Sequence, residues 1–244
     1  KGQRSCVHPT EICDGRVDCL SHNDDEQLCD MLKCPGMCTC FGRAVLCPYS
    51  KFLHLPPFEK PVQLKSPILS LSLPGSRVAL QKDMLDRYGN LLSLDLSSIK
   101  NGEQICCLSI DRDGLFSALH RLLFLDLSHN NITLIKKDCF YGLYSLKQIK
   151  FNGCYIRYIN SYGFSWVSHL EVLVLQNLHI EAVQNWAFTN MNIQFLDLSN
   201  NLLTYLPSHT FQNLNKLLIL DLRRNSLLKS VHLMTLKNAG DLAA

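Results

Sequence analysis

The 244-residue sequence predicts an α/β fold: a solenoid of leucine-rich units that lay short parallel strands side by side on a concave face, preceded by a disulfide-stapled cap and a small acidic module. Three observations predict it. From Leu122 onward the chain repeats itself in phase; eight of its twelve cysteines lie between Cys6 and Cys47; and five acidic side chains fall between Cys13 and Cys29. The boundaries are 1–29 for the acidic module, 30–33 for a linker, 34–57 for the cap and 58–244 for the repeats.

The chain is long enough for one large or two modest domains, and 47% hydrophobic content is ordinary for a folded protein. Its longest apolar runs, such as LLFLDL from Leu122 to Leu127, are far below the roughly 20 residues that cross a bilayer, so no transmembrane segment is expected. It opens on KGQRSC, with no sign of a signal peptide, and reads as a fragment. Net charge is only +3, and no nucleic-acid partner is expected. The charge is uneven, since Lys1 to Asp30 hold seven acids against three bases. Closely spaced cysteines belong to small modules stapled in oxidising compartments, which places the protein outside the cell. The sequon Asn131-Ile132-Thr133 marks Asn131 as a candidate glycosylation site.

The acidic module is CVHPTEICDGRVDC followed by LSHNDDEQLC, ending at Cys29. It resembles the C-terminal half of a low-density-lipoprotein receptor class A module, with Glu11 where that family has tryptophan. The resemblance implies calcium held by the side chains of Asp14, Asp18, Asp25 and Glu26 and by the backbone carbonyls of Glu11 and Arg16. It also implies a Cys13–Cys29 disulfide, while Cys6 and Cys19 pair with each other or with partners upstream. Because Cys19 to Cys29 is one residue longer than the family spacing, Asp24 with Asp25 is an alternative to Asp25 with Glu26. Calcium prefers six to eight oxygens, which carboxylates supply. Four carboxylates held roughly 4 to 6 Å apart repel by about 3 to 4 kcal/mol per pair at an effective dielectric near 20, more than ~15 kcal/mol over six pairs without a cation. The competing reading is a solvated loop whose acids never meet.

The cap, CPGMCTCFGRAVLCPYSKFLHLPP from Cys34 to Pro57, has the spacing C-x3-C-x-C-x6-C. Four cysteines also suit tetrahedral zinc, but the leucine repeats that follow and the oxidising compartment favour a stapled end cap. Here the chain resembles extracellular leucine-rich repeat proteins, which implies the pairs Cys34–Cys40 and Cys38–Cys47.

The repeats start near 68, 91, 122, 146, 170, 193 and 217, and the last is truncated. Each opens as L-x-x-L-x-L, and in the four full units a phenylalanine recurs eighteen residues after the start, at Phe140, Phe164, Phe188 and Phe211. Aliphatic Ile135, Ile159, Val183 and Leu206 recur at thirteen. The inward leucines and the phenylalanine predict a coil closed on itself. The ninth residue of each unit is Asn130, Cys154, Leu178, Asn201 or Asn225. Asparagine there is expected to form a ladder through the interior, cysteine to replace it in part, and leucine not at all. An insertion near Asn101 to Cys107 lengthens the unit that begins at Leu91.

No H-E-x-x-H, G-x-S-x-G or phosphate loop occurs, and His129, His179 and His209 fall in different registers, so no catalysis is expected. Binding is expected on the concave face. The row Phe124, Gln148, Val172, Phe195 and Ile219 is apolar for a displayed surface, with Asp126, Asp197 and Asp221 alongside. The aspartate of L-D-L-S is common in the repeat family, where its plain role is solubility. Partial burial between neighbours is one reading of the row. The other is a ligand site of Phe124, Asp126, Val172, Phe195, Asp197 and Asp221 for a basic or amphipathic peptide.

Module, cap and repeats in this order resemble the ectodomains of leucine-rich-repeat G-protein-coupled receptors, the relaxin-family peptide receptors and their invertebrate relatives. The resemblance implies a cell-surface receptor binding a peptide or glycoprotein hormone and acting on an intracellular G protein through a transmembrane region outside this chain. A secreted or adhesive repeat protein is the alternative.

Overall fold

The computed structural model describes residues 34–49, 68–78, 80, 84–99, 114–229, 231 and 235–236. The acidic module with its proposed calcium ligands, the linker and the insertion near 101–107 lie outside the described residues, as do Cys6, Cys13, Cys19 and Cys29.

Each L-x-x-L-x-L segment forms a three-residue strand that begins two residues after the unit start. These strands are β3 (Ser70–Ser72), β4 (Ser93–Asp95), β5 (Phe124–Asp126), β7 (Gln148–Lys150), β9 (Val172–Val174), β11 (Phe195–Asp197) and β12 (Ile219–Asp221). Alternation along a strand sends its middle residue inward, so Leu71, Leu94, Leu125, Leu173 and Leu196 are buried while the residues on either side face out. Neighbouring strands pair in parallel and in register, for example Phe195 with both Val172 and Ile219. Three two-residue strands, β6 (Leu134–Ile135), β8 (Tyr158–Ile159) and β10 (Ala182–Val183), form a second parallel ladder and bury Ile135, Ile159 and Val183.

Phenylalanine closes each coil as expected. Phe140, Phe164, Phe188 and Phe211 are buried and stack with successive ring centroids 5.4, 5.6 and 6.0 Å apart. Phe116, displaced by the long unit, is buried as well.

The cap covers the first coil. Strand β1 (Thr39–Phe41) turns through Gly42 and Arg43 into antiparallel β2 (Ala44–Leu46), and β2 then pairs in parallel with β3. Cys34 bonds Cys40 and Cys38 bonds Cys47, the pairs that the family resemblance implies.

Asparagine at the ninth position ties one coil to the one before. Asn201 donates from Nδ2 to the carbonyls of Leu175 (2.8 Å) and Leu198 (2.9 Å), and its Oδ1 accepts the Leu178 and Ile180 N–H groups at 3.0 Å. Asn130 reaches back to the Leu96 carbonyl and Asn225 to that of Leu198. Cys154 does half the task, donating its thiol to the Leu127 carbonyl at 3.2 Å. Leu178 is buried without a polar group to offer. The strand-face sheet divides at that point: β1-β2-β3-β4-β5-β7 and β9-β11-β12 are separate hydrogen-bonded sheets.

The residue before the ninth position adopts a left-handed backbone in every unit from Gly75 to Arg224, with φ between 54° and 67°. The turn out of each strand requires it. Gly153 is needed there for a second reason, since a Cβ on it would collide with the His129 imidazole of the preceding coil.

Candidate ligand-binding face

The strand face displays two rows of side chains, the first and third residues of each strand. In the first row Phe124 is 43% exposed, Val172 52% and Ile219 55%, so three of its four apolar members present most of a face to solvent. Phe195 is half-buried between its register partners Val172 and Ile219. Val174 in the second row is also exposed and extends this apolar patch.

The aspartates of the second row have a local task. Asp95, Asp126, Asp197 and Asp221 each accept, at Oδ1, the backbone N–H two residues on, from Ser97, Ser128, Ser199 and Arg223 at 2.8 to 2.9 Å. This bond satisfies an amide that the strand leaves unpaired as it turns. Solubility therefore understates the aspartate of L-D-L-S. Asp197 is only 9% exposed and is spent largely on this bond. Asp221 also takes Arg223 Nε and Nη2, and that guanidinium together with the Arg223 N–H holds its carboxyl below the usual aspartate range. Asp126 Oδ2 lies 3.7 Å from Lys150 Nζ.

The face is chemically divided where the sheet divides. Over β3 to β7 lies a trough of ≈ 520 Å³ lined by Ser70, Ser72, Ser93, Asp95, Asp126, Gln148 and Lys150, with Phe124 as its main apolar wall. One of its hydroxyls is tied down, Ser72 Oγ donating to Asp95 Oδ2 at 2.7 Å. Over β9 to β12 the surface is Val172, Val174, Phe195 and Ile219. The six sequence-predicted ligand residues thus form no single patch: Phe124 and Asp126 belong to the polar half, Val172, Phe195, Asp197 and Asp221 to the apolar half.

Sequence reasoning missed an exposed aromatic strip on the flank. Tyr162 and Trp186, sixteen residues after their unit starts, stack with centroids 6.1 Å apart, and Tyr141 packs edge-on against Trp166 at 4.9 Å. Recurrence of large rings at that position was the available signal.

Asn131 is exposed, so the sequon can be reached by modifying enzymes. Among the described residues no cluster of three or more histidine, cysteine, aspartate or glutamate side chains could hold a metal ion, and no helix is long and apolar enough to cross a membrane.

Known proteins carry the same pattern. Toll-like receptor 3 of Boselaphus tragocamelus is 30% identical over 154 residues, covering 57% of this chain and 16% of the relative. Toll-like receptor 3 of Homo sapiens is 26% identical over 179 residues, 66% of this chain and 19% of the relative, so the chain spans less than a fifth of the length of either. A solved chain in the crystal structure of the TLR13-ssRNA13 complex aligns at 27% identity with a TM-score of 0.46, over 68% of this chain and 29% of that one. Six copies of the BspA type leucine rich repeat region match residues 110–237, more than half of the sequence, and the chain belongs to that leucine-rich repeat family.

Proposed function

We propose that the chain is the extracellular ligand-binding region of a cell-surface receptor, and that its strand face captures an extended or amphipathic peptide segment of a peptide or protein hormone. The observation that carries this reading is the display of Phe124, Val172 and Ile219 on ordered strands, where a soluble coil has no need of them. The acidic, hydroxyl-lined trough beside Phe124 favours a cationic or hydrogen-bonding group at one end of the ligand, and the β9–β12 patch favours apolar side chains at the other. The disulfide cap supports an oxidising, extracellular setting. Receptors named among the relatives support a receptor role.

The class A-like module, the cap and the repeats in sequence favour a G-protein-coupled receptor with its transmembrane region outside this chain. In that reading Asp14, Asp18, Asp25 and Glu26 hold calcium, for which their hard carboxylate oxygens are a suitable donor set. A calcium-dependent thermal midpoint that falls with chelator and returns at millimolar calcium is expected, and indifference to chelator removes the metal from the proposal. The identity to Toll-like receptor 3 favours a second reading, a receptor of the Toll-like kind. Reading the transcript past Ala244 separates the two: seven apolar spans are expected for the first, and a single span or a stop codon excludes it.

Peptides selected from a displayed random library against the whole chain test the face itself. Val172→Ser and Ile219→Ser are each expected to weaken selected peptides by about tenfold, on the order of 1.4 kcal/mol, with the circular dichroism spectrum unchanged. Wild-type affinity in both variants rejects the strand face as the site.

A further inference from the structure

Beyond the ends of β9, β11 and β12 lies a depression of ≈ 280 Å³ lined by Gln176, Ser199, Arg223 and Arg224. Its polar groups are donors in excess. Gln176 Nε2 donates to Ser199 Oγ at 3.2 Å, so the Ser199 hydroxyl, in a residue only 4% exposed, keeps its own proton to give. Arg223 uses Nε and Nη2 on Asp221 and retains Nη1. Arg224 makes no side-chain hydrogen bond or ion pair among the described residues. The nearby carboxylates are engaged in part: Asp197 Oδ1 takes the Ser199 N–H, and both oxygens of Asp221 take Arg223.

A recess in which hydroxyl, amide and guanidinium protons outnumber the acceptors suits a group with several acceptor oxygens. We propose that this depression is an oxyanion subsite that takes a carboxylate or sulfate group of the ligand. The site gives the strand face a direction, because the acidic trough lies at the opposite end of the same row of strands. A ligand would lie with its cationic end over Asp95 and Asp126 and its anionic end over Arg224. From β4 to β12 there are five strand steps of about 4.8 Å, a span of about seven extended residues. This orientation rests on the strand face being the ligand face; the anion subsite does not.

The test is an NMR titration of the ¹⁵N-labelled whole chain with sodium acetate and with sodium sulfate, against sodium chloride at matched ionic strength. Saturable shifts confined to the Gln176 side-chain amide and the Ser199 and Arg224 N–H groups are expected, and the anion that saturates identifies carboxylate or sulfate as the preferred group. Arg224→Asn installs the residue type found in the same left-handed turn at Asn177 and Asn200, so the backbone is kept. It should weaken binding about tenfold, the loss of a charge-assisted hydrogen bond, while Arg224→Lys retains most of it. Shifts that resemble those with chloride, or that persist unchanged in Arg224→Asn, overturn the subsite. No peptide enters this titration, so its failure is distinct from wild-type peptide binding in the Val172 and Ile219 variants.

Discussion

Asn201 bonds two carbonyls and two N–H groups inside the coil, so its side chain holds adjacent units in register. Asn201→Ala is expected to cost about 2 to 4 kcal/mol, because buried donors and acceptors are stranded together, and chemical denaturation measures it directly. The weaker substitute at Cys154 has a different signature. Burial pushes its thiol up to about 11, so it stays protonated at physiological pH and is a poor nucleophile. Iodoacetamide labelling followed by peptide mapping should find Cys154 unmodified in the native chain and labelled only after denaturation; labelling of the native chain contradicts the assigned burial.

At the scale of the element, β7 and β9 show what happens when a ladder rung is absent. In neighbouring coils the residue after the strand donates its N–H to the next strand, as Leu127 does to Lys150 and Leu175 to Asp197. Phe151 has no such bond, and it carries an aromatic ring where those coils have leucine, packed against Phe140 and Phe164. A bulky side chain in coil 146 and an apolar Leu178 in coil 170 together leave the two sheets unjoined, with β8 and β10 still paired on the other ladder. Hydrogen exchange should therefore be faster at the Phe151 amide than at Leu127, Leu175 and Leu198; equal protection contradicts the division. The periodic strands, the phenylalanine spine and the irregular Leu178 were all legible in the sequence, because each is written as a residue type at a fixed phase. The division of the sheet was not, since it depends on Phe151 and Leu178 acting on one gap from different units.

Over the whole molecule, stability is a sum of interfaces between neighbouring coils, and its pH dependence follows from the carboxylates that bridge them. Glu181 accepts from Arg157 Nε at 2.8 Å and from the Tyr158 hydroxyl at 3.0 Å across adjacent coils, and the Arg157 bond, then that of Tyr158, lowers its carboxyl. A carboxyl lowered by folding contributes fully above its unfolded value, about 4.3, and loses that contribution as pH falls through the lower folded value. The thermal midpoint should drop below about pH 4, and the drop should be smaller in Glu181→Gln, which has nothing there to titrate. An identical acid profile in both proteins would assign the drop to other carboxylates.

The repeat phase alone determined the solenoid, its inward leucines and its buried rings, because a coil that must bury one face at every turn leaves little choice of residue at those positions. The stapled cap followed from cysteine density and a family resemblance. Display is another matter. Whether Phe124, Val172 and Phe195 stand in solvent or fold against their neighbours depends on which strands lie beside them, and the tertiary structure decided it: two are exposed, while Phe195 is half-buried between Val172 and Ile219. The aspartates likewise read as a surface charge in sequence and proved to be turn staples. Their backbone partner lies two residues on, and only the bend of the chain brings it within reach.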